Sequence, residues 1–75
     1  MEKGFLYHAQ HNFTEAIKVF ETAITVNNTY ADAYYWKAKT YEAMGDKDQA
    51  LLNYERSLGL DKGLKEAAAA IKRLQ

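Results

Sequence analysis

Residues 31–64 read ADAYYWKAKTYEAMGDKDQALLNYERSLGLDKGL, and the spacing of large and small side chains in this stretch decides the fold. In the second half of the stretch Leu51, Tyr54 and Leu58 recur at steps of three and four, with Ala50 alongside. That is the period of an amphipathic helix and not the alternation of a strand. Gly45-Asp46 interrupts the pattern, and Asp46 followed by Gln49 has the spacing of a capping box that opens a new helix. The stretch therefore predicts two helices, 30–44 and 47–59, joined by a tight turn.

The same pattern extends outward in both directions. Phe13, Ile17, Phe20 and Ile24, with Ala16 and Ala23 on the same side, predict a helix over 13–26, and further helices are predicted near 2–10 and 64–74. His11-Asn12, Asn27 to Thr29 and Gly59 to Gly63 supply the breaks in a chain without proline. Asn12 with Glu15, and Thr29 with Asp32, offer the same capping spacing as Asp46 with Gln49. Sliding the chain along itself until Lys3 falls on Lys37 also brings Tyr7 onto Tyr41, Ala16 onto Ala50 and Glu21 onto Glu55. The inexact pairs keep size and polarity: Gly4 meets Ala38, Asn12 meets Asp46, Phe20 meets Tyr54 and Ile24 meets Leu58. A helix-turn-helix unit that must fit its own copy is expected to repeat in this way.

At Tyr34, Ala38, Tyr41, Gly45, Ala50 and Tyr54 the chain resembles the tetratricopeptide repeat (TPR) family, whose repeat carries an aromatic, small, aromatic, glycine, alanine, aromatic series. The likeness covers nearly the whole chain. It implies an all-α fold, an α-solenoid of antiparallel helix pairs with about two TPR units plus a C-terminal capping helix. Within a single domain, 1–75, residues 1–30 would be an N-terminally truncated repeat, 31–64 a full repeat and 65–75 the capping helix. Ala67, Ala68, Ile71 and Leu74 are placed on one side of that last helix. The chain departs from the family at Lys37, which replaces the usual leucine, at His11, which replaces the turn glycine, and at Asn28 and Lys62, where proline is common. Small residues such as Gly4, Ala16, Ala38 and Ala50 let helices approach closely, with Tyr7, Phe20, Tyr41 and Tyr54 filling the space beside them.

Composition narrows the function. Ten basic residues balance ten acidic ones, which argues against a nucleic-acid binder or a polybasic membrane patch. No apolar run is long enough to span a bilayer, so membrane insertion is not expected and a cytoplasmic location is. The chain has no cysteine, which removes disulfides, thiolate metal sites and cysteine nucleophiles. At 75 residues a single core leaves little surplus stability. Further repeats or self-association are therefore expected to complete the unit.

The resemblance also implies where a partner would bind. The first helix of each repeat in the family lines a concave groove that takes a peptide or protein segment. With Tyr34, Ala38 and Tyr41 facing the partner helix, the opposite face carries Asp32, Tyr35, Lys39, Glu42 and Ala43, with Trp36 at its edge. The corresponding positions are Phe5, His8 and Ala9 in the first helix, and Glu66, Ala69, Ala70 and Arg73 in the last. The peptide-binding candidates are therefore Phe5, His8, Asp32, Tyr35, Trp36, Lys39, Glu42 and Arg73. Aromatic side chains would anchor the segment, and Lys39 and Arg73 would pair with acidic groups or a terminal carboxylate. Packing between adjacent helices for Tyr35 and Trp36, and plain solvation for Lys39 and Arg73, stand as alternatives. The lysines, asparagines and arginine with which co-chaperone members hold a chaperone tail would fall at Met1, Phe5, Trp36, Glu66 and Ala70. None matches, which argues against a chaperone-tail carboxylate clamp.

Catalysis has little support, and the chain is read as a non-enzyme without cofactor or metal. Ser57, the one serine, falls where the first copy has Ala23 and is read as a small packing residue. His8 and His11 lack a nearby third ligand, and Asp46 and Asp48 suit a helix N-terminus. No glycine-rich phosphate loop occurs. Two roles remain: a module that binds a protein or peptide in the groove, or a scaffold segment that forms a homo-oligomer or ends a longer array. The second is motivated by Phe5 and Leu6, whose apolar surface would have nothing in front of it.

Overall fold

The computed structural model describes residues 10, 12–27 and 30–75. Among these residues it contains helices and no strands: α1 (Phe13–Val26), α2 (Ala31–Met44), α3 (Lys47–Leu60) and α4 (Lys65–Leu74). Each helix packs on the next in the chain, as expected of helix hairpins joined by short loops. The helix predicted at 2–10, with His11, lies outside the described residues.

In α1 the predicted stripe is the buried one: Ala16, Ile17 and Phe20 are inaccessible or nearly so. The expected capping box at its start does not form. Asn12 occupies the N-cap, but its side chain makes no capping hydrogen bond. Glu15 accepts from Lys18 Nζ at 3.4 Å, one turn onward, instead of reaching back toward Asn12. Thr29 also lies outside the described residues, and Tyr30 holds the N-cap of α2, again without a side-chain bond. The cap proposed at Asp46 is made: Asp46 Oδ1 accepts from the backbone N–H of Gln49 at 3.3 Å.

The turn between α2 and α3 has a stated mechanism. Gly45 sits at φ 87°, in the left-handed region. Its N–H donates to the Glu42 carbonyl at 3.0 Å and the Asp46 N–H donates to the Tyr41 carbonyl at 2.9 Å. This pair of bonds is a Schellman motif, which satisfies the last carbonyls of α2 and reverses the chain into α3.

The core of the second hairpin is built from small residues around one aromatic ring. Ala38, Ala50, Ala67 and Ala70 surround Tyr54, with Tyr35, Tyr41, Leu58, Leu64, Ile71 and Leu74 packed against them. Ala38 and Ala50 are fully inaccessible, so α2 and α3 approach closely and Tyr54 fills the remaining space. Three polar side chains are buried with their hydrogen bonds made locally: Thr40 Oγ1 donates to the Trp36 carbonyl, Asn53 Nδ2 to the Gln49 carbonyl and Ser57 Oγ to the Tyr54 carbonyl, each at 2.8 Å. Ser57 is thus the small packing residue it was read to be.

Two faces differ from the sequence reading. α2 is buried on both flanks, since α1 and α3 each pack against it. Besides Tyr34, Ala38 and Tyr41, a second stripe at Ala33, Lys37 and Thr40 is covered, with Ala33 and Thr40 fully inaccessible. Lys37, in place of leucine, keeps its side chain only 17% exposed and brings Nζ within 4.0 Å of Glu21 Oε2 in α1. An aliphatic stem fills the leucine's place while the ammonium reaches an acid. On α4, Ala70 is buried and Ala68 exposed, the reverse of their expected placement, because the helix turns Ala67, Ala70, Ile71 and Leu74 onto Tyr54 and its neighbours.

Candidate functional site

Four side chains of α2, Tyr54 of α3 and Arg73 of α4 form a connected cluster. Tyr35 is half-buried, its ring 5.7 Å from that of Tyr54 at 57° and 5.8 Å from that of Trp36 at 77°. These are tilted and edge-to-face arrangements of the kind aromatic quadrupoles favour. Lys39, one turn on, holds its ammonium 4.7 Å from the centre of the Trp36 ring and 5.7 Å from that of Tyr35, in cation–π range of both. A further turn along, Glu42 accepts from the Tyr54 hydroxyl at 2.8 Å, and Arg73 Nη2 lies 2.7 and 2.6 Å from its two carboxylate oxygens. The last helix is therefore tied to the first helix of the preceding hairpin across the side of Tyr35.

The electrostatics follow from this packing. Burial pushes the Tyr54 phenol well above the ordinary tyrosine range, and its hydrogen bond to the Glu42 carboxylate adds to the rise; Arg73 opposes it. Tyr35 is raised too, first by burial and then by the nearby Glu66 carboxylate. Burial, then Glu21 and Asp46, raises Tyr41. The phenols thus stay neutral donors at physiological pH, and Tyr54 can hold Glu42 in place.

Of the residues expected to bind a partner, Tyr35, Trp36, Lys39, Glu42 and Arg73 come together. Asp32 stands exposed in the first turn of α2, where an acidic residue complements the helix dipole. Phe5 and His8 lie outside the described residues, as does His11. Arg73 and Glu42 satisfy each other, whereas Lys39 has no carboxylate partner among the described residues. The sequence reading did not anticipate the Tyr54–Glu42 bond. A signal for it existed: tyrosine at 54 stands where the first copy has Phe20, and a buried phenol needs an acceptor. No group of three or more metal-ligating side chains occurs among the described residues, and none of their helices is long and apolar enough to cross a membrane.

Antiparallel helix pairs stacked in register, with small residues at their crossings, define an all-helical repeat protein. Comparison with known families agrees. The family model described as TPR repeat matches residues 4–45, and a second, described as tetratricopeptide repeat, matches residues 31–64. The chain belongs to the TPR family. Repeats of this family are generally protein–protein interaction modules and typically non-catalytic. No curated protein matches the chain.

Proposed function

We propose that the α2 face bearing Tyr35, Trp36 and Lys39 binds an extended peptide segment that carries an acidic side chain next to an aromatic or aliphatic one. The observation that supports this reading is the state of Lys39. Its ammonium is held over two aromatic rings while the neighbouring acid, Glu42, is engaged by Tyr54 and Arg73. A cation without an acidic partner among the described residues, placed on an aromatic platform, suits a carboxylate that arrives with an apolar neighbour. The Glu42–Arg73 pair borders the platform and fixes its edge. In this reading 31–64 is the complete repeat and 65–75 the closing helix, and the mechanism is binding alone, with a few anchors giving affinity and Lys39 setting register.

A random peptide array probed with the chain tests the proposal. Selected peptides should pair Asp or Glu with Phe, Tyr, Trp or Leu, and Lys39→Glu should weaken them by about tenfold or more while favouring Lys- and Arg-containing peptides. The same peptides bound equally by folded Lys39→Glu and Trp36→Ala variants would sink the proposal.

A further inference from the structure

A hollow of about 660 Å³ opens between α3 and α4, walled by Glu55, Leu58 and Lys62 on one side and by Ala68, Ile71 and Gln75 on the other. None of these residues belongs to the peptide-binding face. Gly59 also lines it, and a side-chain carbon there would meet nothing within 4 Å. Ala68 and Gln75 are the repeat equivalents of Tyr34 and Tyr41, the residues by which α2 faces α3. The hollow is thus where a helix would pack on α4 as α3 packs on α2.

We infer that a second copy of this chain occupies this hollow, across a two-fold axis that passes near Leu58 and Ile71. The charge order along the groove supports this occupant. α3 and α4 run antiparallel about the 61–64 turn, so Glu55 lies at the Gln75 end, Lys62 at the Ala68 end, and Leu58 and Ile71 between them. One acid, on α3, and one base, in the turn that follows it, stand toward opposite ends of an apolar groove. Such a surface complements itself only when a second copy is turned end for end: Glu55 then meets Lys62 of the second copy, and the reverse pair forms by symmetry. Ala68, which α4 presents to the hollow, is small and exposed, so a second copy of that helix can approach to about 8–10 Å. The chain's charge is balanced, ten basic against ten acidic residues, so no net repulsion opposes the approach of two copies.

Sedimentation velocity from about 10 μM to about 1 mM tests the inference, with thermal melts confirming that each variant is folded. Glu55 and Lys62 are exposed, so their reversal leaves the core intact. The parent chain should pass from monomer to dimer across this range. Glu55→Lys and Lys62→Glu should each raise the dissociation constant about tenfold or more. The double variant Glu55→Lys/Lys62→Glu should recover the dimer, and mixing the two single variants should give a heterodimer. Lys39→Glu, on the other face, should leave it unchanged. A strict monomer throughout, a dimer indifferent to the single reversals, or a monomer that instead takes up an unrelated amphipathic helical peptide in the groove would each overturn the inference.

Discussion

Replacing Tyr54 by phenylalanine isolates the polar link between α2, α3 and α4. Tyr54 is 1% exposed, its hydroxyl 2.8 Å from Glu42 Oε1, and Glu42 is also held by Arg73. Phenylalanine keeps the ring, its contact with Tyr35 and the core volume, and removes one donor. A hydrogen bond to a charged group contributes about 1.5–3 kcal/mol and a neutral one about 1 kcal/mol. Glu42 retains Arg73, and its side chain is 31% exposed, so water takes the vacated position and the loss falls at about 1–1.5 kcal/mol. For a chain of this size that lowers the melting temperature by about 5–10 °C. Glu42→Ala should cost more, about 2–3 kcal/mol, because it strands a buried phenol without an acceptor. The double variant should lose less than the sum of the two. Thermal melts followed by circular dichroism at neutral pH give all three values. A Tyr54→Phe melt within about 1 °C of the parent, or strict additivity with Glu42→Ala, would refute the link.

The same phenol makes stability fall in alkali. Burial and the Glu42 carboxylate raise Tyr54 above its unfolded value of about 10. Its contribution is therefore complete below about pH 10 and is lost as the pH rises toward the folded value. Melts of the parent chain should decline above that pH, and Tyr54→Phe should decline less steeply. Absorbance near 295 nm should show some tyrosines ionising late while the chain is folded and at their ordinary value once it is denatured. Tyrosines that all titrate normally in the folded chain would contradict the structure.

Two further substitutions probe the backbone and the core. Gly45→Ala should destabilise by about 1 kcal/mol, since a side chain there meets nothing within 4 Å and only the positive φ opposes it. Gly59→Ala, in the last turn of α3 with equally open space, should instead stabilise by about 0.5 kcal/mol, and melts of equal sign for the two would contradict these backbone assignments. Ala50→Leu should cost roughly 1–3 kcal/mol by overpacking, because Ala50 is fully inaccessible beside Ala38 and Tyr54; an unchanged melting temperature would count against the close α2–α3 crossing.

The helices and the repeat were legible because both depend on periodicity within a few turns. α1 was predicted at its observed bounds, and α2, α3 and α4 to within one residue at each end. What the sequence reading missed depends on which helices lie on either side. It assigned α2 one buried face, Tyr34, Ala38 and Tyr41, as though the helix had a single neighbour. In the structure a second stripe, Ala33, Lys37 and Thr40, is covered as well, and Lys37 reaches Glu21 of α1. Carried forward by one repeat, that stripe becomes Ala67, Ile71 and Leu74, three of the residues that the sequence reading did place on one side of α4. The repeat thus contained the missing face, and carrying the α4 stripe back onto α2 would have found it. Lys37 concealed it, because a charged residue at an interior position reads as surface until an acid such as Glu21 is seen within reach. The Glu42–Arg73 pair was concealed for a different reason. Both residues were placed on the binding face from helical geometry, but they are far apart in the chain, and only the docking of α4 beside α2 decides that they meet each other. Lys39, which has no acidic partner among the described residues, occupies on α2 the position that Arg73, one repeat later, occupies on α4. Equivalent positions in successive repeats thus carry one cation that ties α4 to α2 and one that stands over the Tyr35 and Trp36 rings.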